Sequence, residues 1–312
     1  MFAWAEVLFL ATTLSAATKT LVDDRFDDAL PAKLTALEAD WQLVAADGTL
    51  KVEDVEKRPG GQPDKVLIFR PGNAGRVFVG TFDGRKGNSA GGGSGVVLGA
   101  RPGDQLVLGF DFRFMALPAS DTRLGIGLFS NAGTPGEKGH PATYADDLGY
   151  RTTLNAWGGH GTIQKVASQG AAISDAGYPV TLGGMLGKPS PPLSNGWHSF
   201  KLTLRREAEG VTVAAALDGA VFNTGVDSKA SDAFDDPPGL ITSFHEIIVS
   251  LAGRAPNGLL LDNVRLHSFA EPYAWHISLA GVVKAAGLVG AIAILVGVVA
   301  AVCYRLVKWW RA

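Results

Sequence analysis

Along the first 270 residues, apolar positions recur at every second place rather than every third or fourth. The clearest stretch is DQLVLGFDFRFM (104–115). There Leu106, Leu108, Phe110, Phe112 and Phe114 alternate with Val107, Gly109, Asp111 and Arg113. In an extended chain, successive side chains point to opposite faces. One face of this segment therefore meets a core, and the other meets solvent or a ligand. WHSFKLTLRR repeats the pattern, with Phe200, Leu202 and Leu204 inward and Ser199, Lys201 and Thr203 outward. VTVAAAL (211–217) puts Val211, Val213, Ala215 and Leu217 on one side. The intervening REAEG reads as a hairpin turn, and Asp218-Gly219 as a second turn before AVFN.

Further strands are expected at 21–26, 41–44, 49–55, 65–70, 76–82, 95–99, 123–130, 150–157, 162–167, 244–252 and 259–269. Clusters of Gly, Pro, Asn and Asp separate them, and 40 glycines and 16 prolines supply the many turns this requires. ALPAKLTALEADW (29–41) is the best helix candidate before residue 272. No internal repeat is visible, which disfavours a propeller. Many short antiparallel strands in one chain predict an all-β fold: an antiparallel β-sandwich of the jelly-roll type, over residues 18–272.

The two ends break this rhythm. AAGLVGAIAILVGVVAAV (285–302) carries no charge. About 20 apolar residues at 1.5 Å each cross a ~30 Å hydrocarbon layer. Tyr273, Trp275 and His276 precede the run, and Tyr304, Trp309 and Trp310 follow it, as an aromatic belt would. Arg305, Lys308 and Arg311 then place a basic tail (305–312) in the cytoplasm and the bulk of the chain outside. The expectation is a juxtamembrane and transmembrane helix over 273–304, with the membrane as a single-pass partner. Near the start, the apolar stretch Val7–Leu14 leads into Ser15, Ala16 and Ala17. That pattern predicts a signal peptide over 1–17, although Glu6 stands where a Lys or Arg is usual.

Composition narrows the picture further. The single cysteine is Cys303, so the domain before residue 272 has no disulfide and depends on its core. Net charge is −2 with no basic cluster outside the tail, which argues against a nucleic-acid partner.

Three segments carry a family resemblance. LVDDRFDD opens the domain and leads to a tryptophan strand and a DGTLKV turn. The late hairpin reads WHSFKLTLRREAEGVTVAAALDGAVF, and the closing strand LLLDNVRL. In this order, over residues 20–270, they resemble the concanavalin A-like lectin/glucanase superfamily, including laminin-G-like modules and carbohydrate-binding jelly rolls. The resemblance implies a sandwich and points to a carbohydrate ligand. It also implies that the first and last strands meet and share a structural calcium, with Asp23, Asp24 and Asp262 as ligands and Asp27 and Asp28 nearby. Calcium takes several oxygen ligands, carboxylates among them. Strand-edge charges that discourage edge pairing are the plainer reading of the same aspartates. Asp146 and Asp147 offer a less supported alternative.

Catalytic motifs are sparse. Retaining glucanases of the resembled fold carry E-x-D-x-x-E on one strand, and no such run occurs. Glu207 and Glu209 read as a solvated hairpin tip. His245-Glu246 lacks the second histidine of H-E-x-x-H, since position 249 is Val. The other histidines read as surface or core residues. GGMLGK (183–188) is followed by Pro189 instead of the Ser or Thr of a phosphate loop. YRTTLNAWGGHG (150–161) remains as a ligand site. Arg151, Asn155, Trp157 and His160 there mix flat aromatic surface with hydrogen-bonding groups that suit a sugar. On a strand, Arg151, Asn155 and Trp157 share one side, while Tyr150 and Leu154 take the other. The expected role is non-catalytic recognition of a glycan or other surface ligand, or a structural place in the envelope. The alternative is a glycoside-processing enzyme on the same fold. A further alternative makes the C-terminal segment a sorting signal, because Glu271-Pro272, the apolar run and the basic tail resemble tails recognised by exosortases.

Overall fold

A computed structural model describes residues 17–26, 39–44, 48–55, 64–72, 77–82, 95–130, 147–156, 161–166, 180–183, 193–221, 233–235, 240–254 and 257–270. All of them fall in the first of two compact units, Met1–Glu271; the second is Pro272–Ala312. Of the expected signal peptide at 1–17, residues 1–16 lie outside the described residues and Ala17 begins the first strand; the charge-free run 285–302 and the tail 305–312 also lie outside them. Among the described residues no helix is long and apolar enough to cross a membrane.

The strands, in chain order, are β1 (Ala17–Asp24), β2 (Asp40–Val44), β3 (Thr49–Val55), β4 (Asp64–Arg70), β5 (Val77–Thr81) and β6 (Val96–Val97). There follow β7 (Gln105–Phe114), β8 (Arg123–Ser130), β9 (Leu148–Asn155), β10 (Gly161–Val166), β11 (Val180–Gly183) and β12 (His198–Arg206). The last are β13 (Val211–Leu217), β14 (Ala220–Val221), β15 (Ala233–Asp235), β16 (Ser243–Phe244), β17 (Glu246–Ala252) and β18 (Leu259–Ala270). The expected strands at 49–55 and 123–130 form with those bounds. The strand expected at 95–99 shortens to β6, which pairs only with β16. Residues 180–183 and 233–235 add two strands the alternation does not predict.

Two antiparallel sheets form the domain. The larger runs β14-β13-β12-β7-β18-β4-β3, with β1 on β18 and β15 on β13. The smaller runs β11-β10-β9-β8-β17-β5-β2. Their inner faces share one core: Phe110, Phe112, Phe200, Leu202 and Leu204 from the larger sheet, and Leu124, Ile126, Tyr150, Ile247 and Val249 from the smaller. The alternation of 104–115 and 197–206 thus becomes an all-β antiparallel sandwich, with Phe112, Leu202 and Leu204 fully buried. Aromatic pairs knit this core; Phe110 meets Phe200 at 5.2 Å and Phe112 meets Phe114 edge-on at 5.7 Å.

Trp41 closes one edge. Its indole Nε1 donates to Asp24 Oδ2 at 2.7 Å, and its ring packs against Phe26 and Phe78. The ring also lies directly over Gly80, where a Cβ would come within 2.9 Å of it. Residues 40 and 41 begin β2; residues 29–38 of the helix candidate lie outside the described residues.

β18 is the longest strand and changes partner midway. Leu259–Leu261 pair with β4, and Val264–Ala270 pair with β1. Between them a bulge shifts the register against β7, and Asn263 takes a left-handed backbone (φ 52°). The extra residue changes which positions face inward, from Leu259 and Leu261 before it to Val264 and Leu266 after it.

Candidate functional site

The outer face of the larger sheet is built in rows by the register. One row reads Thr20, His267, Val107, Thr203 and Ala214 across β1, β18, β7, β12 and β13. The next reads Asp23, Arg265, Gly109, Lys201 and Ala216. A third sets Asp262 opposite Asp111, and Asp111 opposite Ser199. Neighbouring strands lie about 4.8 Å apart, so Arg265 and Lys201 stand roughly 10 Å apart with only Gly109 between them.

That missing side chain leaves a trough of about 520 Å³ across the sheet. Small-molecule pockets span roughly 300–1,000 Å³. Gly109 floors it between β18 and β12; Arg265, His267 and Asn263 line it from β18, Lys201 and Ser199 from β12, and Ala216 extends it beyond Lys201 on β13. Asp111 closes one end, held by Asn263 Nδ2, which donates to Asp111 Oδ2 at 3.0 Å and to Asp262 Oδ2 at 3.1 Å. The trough thus offers guanidinium and ammonium donors together with carboxylate and hydroxyl acceptors around the gap at Gly109.

The first and last strands meet, and the aspartates of the calcium expectation sit there, each facing a protein donor. Asp23 receives Arg25 Nε at 3.0 Å, Arg25 Nη2 at 2.9 Å and Arg265 Nε at 3.3 Å. Burial alone would raise the Asp23 carboxyl, but the hydrogen bonds and charges of Arg25 and Arg265 outweigh it and hold it below the usual carboxylate range. Asp24 accepts from Trp41 and from the Phe26 amide. Asp262, 1 % exposed, accepts from the Asn263 amide at 2.6 Å. Among the described residues no three His, Cys, Asp or Glu side chains gather as metal ligands. In this arrangement the three carboxylates are engaged by two guanidiniums, an indole and amides. Asp27, Asp28 and Asp146 lie outside the described residues, and Asp147 is buried.

The site expected at 150–160 divides. Tyr150 and Leu154 point into the core. Arg151 and Asn155 share the opposite side of β9 with Thr153, on the outer face of the smaller sheet; Trp157 and His160 lie outside the described residues. Arg151 is only 3 % exposed. Its Nε and Nη2 both donate to Gln164 Oε1, at 3.1 and 3.0 Å, and Thr153 Oγ1 joins them at 3.2 Å. Glu207 sits in the hairpin turn, where its amide donates to Gly210 O and its Oε1 accepts from Thr212 Oγ1 at 2.8 Å.

The trough residues were partly visible in the sequence. Gly109, Asp111, Ser199 and Lys201 are outward positions of alternating strands, but nothing in the alternation puts β7 between β12 and β18.

No protein-family model matches the chain, and no curated protein does either. Among solved structures, the carbohydrate esterase vb_24B_21 from Shiga toxin-encoding bacteriophage phi24B is similar at TM-score 0.45 and 11% identity, over 81% of this chain and 100% of that one. The potassium-bound carbohydrate recognition domain of Emp46p gives TM-score 0.43 at 13% identity, over 73% and 88%. Alginate lyase Aly36B gives 0.38 at 12%, over 78% and 95%. Likenesses this distant leave the site to be read from the chain's own residues.

Proposed function

We propose that this protein is an exported β-sandwich, tethered to a membrane by residues 285–302, that binds glycan in the trough of the larger sheet. The observation that carries the reading is the side-chain gap at Gly109, flanked by Arg265 and Lys201 and closed by Asp111 and Asn263. A sugar presents a rim of hydroxyls, each both donor and acceptor, around an apolar ring face. Mixed donors and acceptors around the side-chain gap at Gly109 match that chemistry. The tether and the extracytoplasmic side rest on the charge-free run, its aromatic flanks and the basic tail.

A glycan array probed with the full chain in detergent tests the binding. Lys201→Ala and Arg265→Ala should each cut affinity about tenfold, or 1.4 kcal/mol, with melting unchanged for Lys201→Ala. Affinity untouched by both substitutions would move the ligand elsewhere. The favoured second location is 151–160, because Arg151, Thr153 and Asn155 share one face; there Trp157→Ala should remove binding instead. For topology, protease added to intact spheroplasts should digest the domain and spare a tag after Ala312. A protected domain would sink the tether as drawn.

A further inference from the structure

We propose that Ser194, His198 and Asp218 form a hydrolytic site for small carboxylic esters, with Ser194 as nucleophile, His198 as base and Asp218 as the residue that positions the base. Ser194 Oγ lies 3.2 Å from His198 Nε2. His198 Nδ1 lies 2.8 Å from Asp218 Oδ2. The other carboxylate oxygen, Asp218 Oδ1, accepts the Ser199 amide at 2.8 Å. A hydroxyl in reach of a base whose far nitrogen is held by a fixed carboxylate is the arrangement that activates a serine.

Proton placement follows from the partners. An ionised carboxylate only accepts, so Nδ1 carries the ring proton and donates it to Asp218. Nε2 of the neutral ring then has a free lone pair facing Ser194 Oγ. The Gly196 amide donates to the same Oγ at 3.0 Å, which engages a lone pair and leaves the hydroxyl hydrogen for Nε2. Ser194 O also lies 3.2 Å from Nε2. That carbonyl can accept a hydrogen bond through the proton that Nε2 takes from the serine.

The fold holds these groups in place while exposing the nucleophile. His198 begins β12, is 9 % exposed, and lies against Phe112 at 5.5 Å. Asp218 and Gly219 both take positive φ (50° and 80°), the two-residue turn that joins β13 to β14 and sends the carboxylate back to β12. Ser194 is exposed on a loop pinned by Leu193 N to Ala156 O at 2.8 Å and by Arg113 Nε to Asn195 O at 2.7 Å. In the reaction, Ser194 Oγ bonds to the ester carbonyl carbon as its proton passes to Nε2. The ester C–O bond breaks, and the alcohol leaves with that proton. Water then attacks the acyl-serine with the same base, releasing the acid and restoring the serine.

The test uses the full chain with a fluorophosphonate probe and with 4-nitrophenyl acetate. Peptide mass spectrometry should find the phosphonyl group on Ser194. Ser194→Ala, whose exposed side chain leaves the core intact, should melt like the parent yet hydrolyse the ester roughly 100-fold more slowly, and His198→Gln should slow hydrolysis as much. Asp218→Asn should slow labelling and shift the pH–rate profile, a change that a purely structural turn would not produce. Absence of label on Ser194, or unchanged ester turnover in Ser194→Ala, overturns the proposal. Glycan affinity is a separate readout: Lys201→Ala should leave labelling at Ser194 intact, so this site and the trough can fail independently.

Discussion

The outer faces of the two sheets differ in kind. On the larger sheet, β7 alternates buried and half-buried residues along its whole length, and β12 does nearly the same. Its outer rows there carry threonines, charges and the trough, whereas toward β4 Val66, Ile68 and Leu260 form a buried apolar cluster of their own. On the smaller sheet, β5 is buried at four consecutive positions and β8 at six. Its outer face carries a second apolar cluster, with Val44, Val77, Val79, Phe129, Val166 and Ile248 all nearly inaccessible. Glu246 and Arg151 are buried on that face as well. Gly127 makes room there: a Cβ would meet the Phe129 ring at 2.7 Å. An antiparallel sheet with one wet face shows clean alternation, and a sheet covered on both faces shows apolar runs. The β7–β12 part of the larger sheet is the first case; the smaller sheet, and the larger sheet where β4 meets β18, are the second, and the trough opens over the first.

Substitutions can break or sharpen this contrast. Phe129→Ala, on an outer face, should cost about 3–5 kcal/mol in urea unfolding, as much as Phe112→Ala between the sheets. A cost below about 1 kcal/mol would mean the smaller sheet's outer face is wet. Arg151→Met should cost about 1–3 kcal/mol, since it leaves the half-buried Gln164 Oε1 with Thr153 alone among the partners described above. A neutral outcome would show that the guanidinium contributes no net stability.

Acid should separate the faces more gently. Burial and then the charge of Arg265 push the His267 ring below its ordinary value, with Asp23 opposing. The folded state therefore disfavours the protonated ring. That stability is present above about pH 6.5 and lost as pH falls through the lower folded value. Asp23, held below the carboxylate range, adds stability that is lost only at still lower pH. Urea midpoints should fall from pH 7 to pH 5, and His267→Gln should flatten that fall; an unchanged slope would remove His267 from the account. Lys201→Ala on the wet face should stay within about 0.5 kcal/mol of the parent. The smallest expected effect is calcium against chelator, which should leave melting unmoved because arginines already hold Asp23. A rise with calcium would bring in ligands from outside the described residues.

Local patterns were legible and long-range ones were not. Phe110, Phe112, Phe200, Leu202 and Leu204 follow from period two, because a wet outer face forces polar residues between them. β8 has the right bounds although it does not alternate, since β-branched and apolar residues between turns suffice. The strand order that sets Gly109 between Arg265 and Lys201 depends on partners 92 and 156 residues distant, and single-strand patterning carries no such information. Asp23 resembled a metal ligand because its neighbours are acidic. Arg25, two residues along, was the available sign of an ion pair. His198 and Asp218, 20 residues apart on a hairpin, meet only once its register is known.

The pairing of β1 with β18 has a consequence for how the molecule comes into being. Thr20 and His267 touch across 247 positions of chain. Contacts this distant carry a loop-closure cost before they return anything, and they make folding slow. β18 also supplies the central neighbour of β7 and the edge for β4. Until residues 259–270 have been synthesised, the larger sheet lacks its middle, and the opening strand has nothing to lie against. A nascent chain is thus kept from premature closure by its own topology. The strand that arrives last is the one that lets the sandwich shut.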